Sequence, residues 1–129
     1  MPRRRLPRPT SAELEILRVL WQRGPSTVRQ VYEELNRAKP TGYTTVLKFM
    51  QIMVEKGLAR RNEEQRTHVY EPVLPREATQ QQLVGDLLDR VFSGSASQLV
   101  MRALAVRRAG PREIEQIRQM LDEYERGSK

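Results

Sequence analysis

The sequence predicts a mainly α-helical chain with one small β-hairpin, arranged as an N-terminal helix-turn-helix unit and a C-terminal three-helix unit. Three observations predict it. Helical apolar periods separated by Gly24-Pro25 and by Pro40-Thr41-Gly42 occupy the first 57 residues. The period then changes to a strand-like one between Leu58 and Glu71. Beyond Pro72 and Pro75 the helical period returns in three further segments. The expected boundaries are residues 1–9 for a basic arm, 10–73 for the first domain and 74–129 for the second.

The arm holds Arg3, Arg4, Arg5 and Arg8 interrupted by Pro2, Pro7 and Pro9. Proline fixes φ and removes an amide donor, so the segment reads as extended and mobile. It is either a phosphate-seeking arm or a solvated tail. The first helix begins after Thr10, because Thr10 and Glu13 form the T-x-x-E pattern in which each side chain satisfies a free amide at a helix start. Leu14, Leu17, Leu20 and Trp21 make its apolar face, backed by Ile16, and Gly24-Pro25 stops it. Thr27 and Gln30 repeat the capping pattern for a second helix running to about Arg37, with Val28, Val31, Tyr32 and Leu35 inward. Lys39 to Gly42 connect it to a third.

That third helix, within Pro40 to Gly57, carries two faces. Val46, Phe49, Met50, Met53 and Val54 recur at helical spacing on one apolar stripe. The opposite side presents Thr44, Lys48, Gln51 and Glu55, with Thr45 and Ile52 at its edge. No acid precedes Glu55 on that face. Small hydroxyls, amides and cations are the groups that hydrogen-bond base edges and phosphates, although an ordinary solvated face shares some of this composition. Three short helices with a tight link between the second and third are helix-turn-helix organisation. Leu58–Asn62 and Thr67–Glu71 then read as two strands around residues 63–66, a wing behind the third helix, with Val69 toward the core and Thr67, His68 and Tyr70 at or near the surface. Arg60, Arg61 and Arg66 are its candidate phosphate contacts.

The C-terminal segments run from Arg76 to Phe92, from Ala96 to about Arg107, and from Pro111 onward, broken at Ser93-Gly94-Ser95 and Gly110-Pro111. Pro111 suits a helix start. Leu83, Leu87, Leu88, Val91 and Phe92 make the first stripe, Leu99 sits on the second, and Ile114, Ile117 and Leu121 mark the inward side of the third. A unit this small, without cysteine or metal as a staple, falls below the about 70–80 residues that close a core alone. The economical solution buries these stripes against a second copy, which makes the C-terminal unit a dimerisation domain; folding back on the first domain is the alternative.

Composition narrows the function. The chain has 129 residues, no cysteine and one histidine, His68. Disulfides, thiolate nucleophiles and sulfur-ligated metals are excluded, and no cofactor or metal is expected. With neither a Gly-rich phosphate loop nor carboxylates paired away from solvated faces, no catalytic residues are expected and the chain is not read as an enzyme. No apolar run approaches the roughly 18 residues of a membrane span, and no apolar signal core follows the basic start, so a soluble cytoplasmic protein is expected. Residues 1–71 hold 14 Lys/Arg against 8 Asp/Glu, while residues 72–129 hold 9 against 8. The first part therefore faces a polyanion and the second does something else.

The runs LEILRVLWQRGPSTVRQVYEEL, TGYTTVLKFMQIMVEKGLARR, THVYEPV and LLDRVFSGSASQLV together resemble the BlaI/MecI penicillinase-repressor family, whose N-terminal half the CopY copper-responsive repressors share. Leu20-Trp21, Thr44–Val46, Lys56–Leu58 and Tyr70–Pro72 fall at the family's places. The resemblance implies a homodimeric winged-helix transcriptional repressor on a partly palindromic double-stranded operator. It implies release through a membrane-bound sensor protease system and cleavage in the C-terminal domain. It assigns Thr45 as the hydroxyl that contacts DNA, with Tyr43 and Thr44 at the start of the same helix. The chain departs from the family at three places. Ile52 stands where a basic residue is common, and Lys48 one turn earlier is the candidate replacement. Arg102-Ala103 stands where family members have a cleaved Asn-Phe bond. The cysteine-rich metal hook of the copper-responsive branch is missing.

The DNA-contacting set is thus Tyr43, Thr44, Thr45, Lys48, Gln51, Arg60, Arg61 and Arg66. Two other readings stand beside it: a winged-helix protein-docking module, and a small-molecule-responsive regulator not controlled by proteolysis.

Overall fold

A computed structural model of the chain describes residues 7–64 and 66–127. Its helices are α1 (Ser11–Arg23), α2 (Val28–Ala38), α3 (Tyr43–Lys56), α4 (Arg76–Val91), α5 (Ala96–Val106) and α6 (Pro111–Gly127), with the strands β1 (Ala59–Asn62) and β2 (Val69–Pro72) between α3 and α4. Backbone contacts divide the chain into two units between Leu83 and Val84. That division falls inside α4, beyond the prolines. The Trp21 indole donates to the Leu74 carbonyl at 3.0 Å and Thr79 is buried, so the first turns of α4 belong to the N-terminal unit.

Both capping boxes form as the sequence predicts. Thr10 Oγ1 accepts from the Glu13 amide at 3.2 Å while Glu13 Oε1 accepts from the Thr10 amide at 2.9 Å. Thr27 and Gln30 do the same for α2 at 3.1 and 2.9 Å. Two orphan amides are satisfied at each helix start, and each helix begins where its cap dictates. Asn36 Oδ1 accepts from the Thr41 amide at 2.9 Å, which holds the α2–α3 link. Gly57 caps α3 in the left-handed region at φ 83°, its amide donating back to Met53 and Val54; a side chain there would meet the Cβ penalty that glycine avoids.

The core of the N-terminal unit comprises Ile16, Leu17, Val19 and Leu20 of α1, Val28 and Val31 of α2, Val46, Met50 and Met53 of α3, with Leu58, Ala59 and Tyr70 from the hairpin. Trp21, Tyr32, Leu35, Phe49 and Val54 pack half-buried around it. Burying a side chain of this size stabilises by about 1.5–3 kcal/mol, against about 0–1 kcal/mol for a surface ion pair. The apolar stripe therefore sets how α3 is rotated.

The hairpin corrects one expectation. β1 pairs antiparallel with β2, Ala59 opposite Pro72 and Arg61 opposite Tyr70. Tyr70 is 2% exposed and Val69 only half-buried, so the inner and outer faces are shifted by one residue from the alternation expected. In a four-residue strand a one-residue slip exchanges the two faces. The register is set by Ser26, just before α2, whose amide donates to the Tyr70 carbonyl at 2.9 Å and whose carbonyl accepts from the Tyr70 amide at 2.8 Å. The strands are also shorter than expected, starting at Ala59 and at Val69.

Of the basic arm, residues 1–6 lie outside the described residues. Pro7 to Pro9 are half-buried, and the Gln82 amide donates to the Pro7 carbonyl at 3.1 Å; this part is held against the N-terminal unit.

In the second unit α4 ends at Val91, followed by a break through Ser93 and Gly94, and Pro111 opens α6 as predicted. No residue of α5 or α6 is buried. Val91 is 63% and Leu121 54% exposed, and Leu87 is exposed too. Leu83, Leu88, Phe92, Leu99, Ile114 and Ile117 are half-buried. Met101, Val106 and Met120 add exposed apolar area that the sequence reading did not pick out.

The sequence reading also missed an ion pair. Lys56, at the end of α3, donates to Glu13 Oε1 at 2.6 Å, and the Glu13 side chain is only 3% exposed. Burial pushes the Glu13 carboxyl up, but hydrogen bonds from Lys56 and Thr10 and the Lys56 charge outweigh it, so the net displacement is below the usual range. A folded-state value below the unfolded value of about 4.3 stabilises the fold above that pH, and the stabilisation is lost as pH falls through the folded value. Glu13→Gln should therefore cost about 1–3 kcal/mol at pH 7, less than a fully buried pair because Lys56 keeps a third of its surface in water. The gap between wild type and variant in urea melts should close below about pH 4; a gap unchanged down to pH 3 would contradict this.

Candidate nucleic-acid interface

Because Val46, Met50 and Met53 are buried, the opposite side of α3 faces outward by helical geometry. Thr44, Lys48 and Gln51 are exposed there, with Thr45 exposed at its edge, and Tyr43, in the first turn on the flank toward Tyr32 of α2, is exposed as well. From Tyr43 to Val54 this helix has no acid, and its N-cap, Gly42, makes no side-chain capping bond. The face offers hydroxyls, an amide and one ammonium, with the Tyr43 phenol on its flank, a donor-rich set suited to an acceptor-rich, negatively charged surface. Ile52 is half-buried and adds no charge to this face.

The wing lies behind this face, and its arginines are not equivalent. Arg60 is on the outer side and its Nε donates to Glu71 at 3.1 Å. Arg61 donates from Nε and Nη2 to Glu63 Oε2 at 2.9 and 2.7 Å. Hydrogen bonds to Glu63 and to the Tyr70 side chain hold the Arg61 guanidinium above its ordinary value, and the same contact holds the Glu63 carboxyl below its own. Two of the three predicted wing cations thus carry an intramolecular carboxylate that competes with any phosphate. Arg66, at the tip, is exposed.

A groove of about 520 Å³ joins the wing to the helices. Thr27 and Arg29 of α2, Tyr43 and Leu47 of α3, and Arg66 and His68 of the tip line it. It brings together Tyr43 and Arg66, which are far apart in sequence, and adds Arg29 and His68, which the sequence reading did not assign. Arg29 carried no motif; its only sequence signal is a cation on the polar side of α2. Thr45 lines a separate depression with Glu15, Lys39 and Gly42. Among the described residues no group of three or more His, Cys, Asp or Glu could hold a metal ion, and no helix is long and apolar enough to cross a membrane.

Helix-turn-helix plus hairpin, with the third helix presenting an exposed polar face, defines a winged-helix protein. Two solved structures share this fold. One is the solution structure of the DNA-binding domain of the repressor BlaI, 24% identical with a TM-score of 0.50, covering 57% of this chain and 90% of that one. The other is the Bacillus licheniformis BlaI monomeric form in complex with the blaP half-operator, 25% identical with a TM-score of 0.50, covering 57% and 89%.

The particular family is also shown. The penicillinase repressor family model matches residues 9–123. The transcriptional regulator BlaI of Mycobacterium tuberculosis is 33% identical over 116 residues, covering 89% of this chain and 83% of that protein. The penicillinase repressor of Bacillus licheniformis is 23% identical over 126 residues, 98% of each chain. The chain belongs to the penicillinase repressor family, a family of transcriptional repressors and not of enzymes.

Glu63→Gln should free Arg61 and delay elution from a phosphocellulose column in a salt gradient. The delay should exceed that of Glu123→Gln, which removes an equal charge from exposed α6. Equal delays would mean that Glu63 acts only through net charge.

Proposed function

We propose that the chain is a sequence-specific DNA-binding repressor that acts in the cytoplasm as a homodimer on a partly palindromic operator. The observation that carries this reading is the outer face of α3. It is exposed, free of acid from Tyr43 to Val54 and flanked by a wing, on a chain whose relative BlaI was solved on the blaP half-operator. In this reading α3 enters the major groove. Thr44, Thr45 and Gln51 address base edges, while Lys48, with Arg60, Arg61 and Arg66 of the wing, addresses phosphates and fixes register, and Tyr43 stands beside them at the start of the helix.

One such head binds weakly. Joining two makes the second contact effectively intramolecular and raises avidity by about 10²–10⁴ where the spacing fits. The apolar side chains of α4, α5 and α6 supply the joint: Leu87, Val91 and Leu121 are exposed in the single chain, and a second copy covering them would bury what water now meets. Leu83, Leu88, Phe92, Leu99, Ile114 and Ile117, half-buried already, would complete that interface.

Release follows from an upstream signal that breaks the pairing, with a membrane-bound sensor protease system as the partner. The Arg102-Ala103 bond lies within α5 with both residues exposed. Cutting it would divide the helix and remove part of the joint without touching α3.

Thr45→Ala should lower the preference for operator over random duplex by about 5- to 150-fold, the equivalent of about 1–3 kcal/mol for a base contact. Lys48→Ala should weaken binding to every duplex and reduce the salt slope by about one. Mobility shifts at two salt concentrations read both, and equal affinity of wild type for operator and random DNA would contradict the reading.

The joint has its own test. Sedimentation equilibrium should give a dimer at micromolar concentration, converted to monomer by Leu87→Asp with Leu121→Asp while the thermal unfolding of the N-terminal unit persists. A monomeric wild type would overturn the dimer.

A further inference from the structure

The groove between α2, α3 and the wing holds an arginine prepared differently from those of the hairpin. Arg29 lies over the Tyr43 ring, its guanidinium carbon 5.5 Å from the ring centroid. That ring is in turn set edge-on against Tyr32, centroids 5.5 Å apart at 76°, and Tyr32 packs half-buried on the core. Among the described residues no carboxylate pairs with Arg29, in contrast to Arg60 with Glu71 and Arg61 with Glu63. Glu33 is the one acid on the wall of the groove, and His68 and Arg66 face it from the wing.

We propose that Arg29 grips a phosphodiester of the duplex backbone in this groove, and that the Tyr43 ring, not its hydroxyl, is the positioning partner. The inference rests on the DNA-binding reading of α3 and extends it to α2. A ring face engages the face of a guanidinium and leaves its in-plane N–H donors directed outward. Those donors match phosphate oxygens, and a planar fork already held on a rigid ring loses less freedom when it binds. The core-anchored Tyr32–Tyr43 pair supplies that rigidity. The phenol of Tyr43 thus works as a platform, and the cation that reaches the backbone belongs to the helix before it.

Phosphate contacts are independent of sequence, so the probe is a fluorescein-labelled random-sequence duplex of about 30 base pairs, long enough for several helical turns. Anisotropy of the full chain is measured at several salt concentrations. Arg29→Gln should weaken binding about 3- to 10-fold and lower the slope of log K against log salt by about one. Tyr43→Phe should bind as wild type does, Tyr43→Ala should weaken, and Arg29→Gln should add little in the Tyr43→Ala background. If wild type binds and Arg29→Gln leaves affinity and slope unchanged, the phosphate grip is wrong while the α3 reading stands. If Tyr43→Phe loses as much as Tyr43→Ala, the hydroxyl is the contact and the positioning role is wrong. A wild type that binds no duplex at low salt overturns the α3 reading and this inference together.

Discussion

The rotation of α3 about its own axis is the constraint on which the N-terminal unit depends. Val46, Met50 and Met53 are at most 1% exposed, and turning the helix by one residue, about 100°, would drive Gln51 or Thr45 inward and turn the methionines toward water. Losing even one such burial costs a large fraction of a domain's net stability. Lys56 and Glu13 lock the far end of the same helix to the start of α1, and the Asn36 side chain holds the turn before its first residue. With both ends fixed and one side buried, the side chains left outside have defined positions. Recognition of a nucleic-acid groove requires that, because base-edge contacts tolerate little displacement.

The remainder of the surface sorts by how each cation is held. Arg60 and Arg61 spend their donors on Glu71 and Glu63, which shields them and leaves them exchangeable. Arg29 rests on an aromatic face and, among the described residues, pairs with no carboxylate. The sum of charges on the N-terminal part is thus a poor guide to its grip on a polyanion; the partners of each charge decide. The C-terminal unit follows a different rule. It is nearly neutral and leaves apolar side chains exposed on α4, α5 and α6, an arrangement suited to association rather than to phosphate.

Much of this was legible in the sequence because the signals were local. Thr10-x-x-Glu13 and Thr27-x-x-Gln30 name their own caps, Gly24, Gly57 and Gly94 take the positive φ expected where helices stop, and the stripe on α3 repeats long enough to fix its inner face. The outer-face residues Thr44, Lys48 and Gln51, and Thr45 at the edge, are exposed as that stripe requires. What the sequence hid was non-local. Tyr70 faces inward because Ser26, more than forty residues earlier, pairs with its backbone, and four residues of strand are too few to reveal their own alternation. Glu13 reads as a cap partner, and nothing near it announces Lys56. Trp21 reaches the Leu74 carbonyl between the two prolines and Thr79 beyond them is buried, so part of α4 joins the first unit. Arg29 gained a role only when folding placed it over Tyr43.

The most direct measurement of the central claim is an amide chemical-shift titration of the isotope-labelled chain with duplex DNA. The account predicts that the largest perturbations fall on Tyr43–Gln51 of α3, with smaller ones at the wing and the start of α2, and that α5 and α6 stay unchanged. Perturbations concentrated on α5 and α6, with α3 silent, would contradict it.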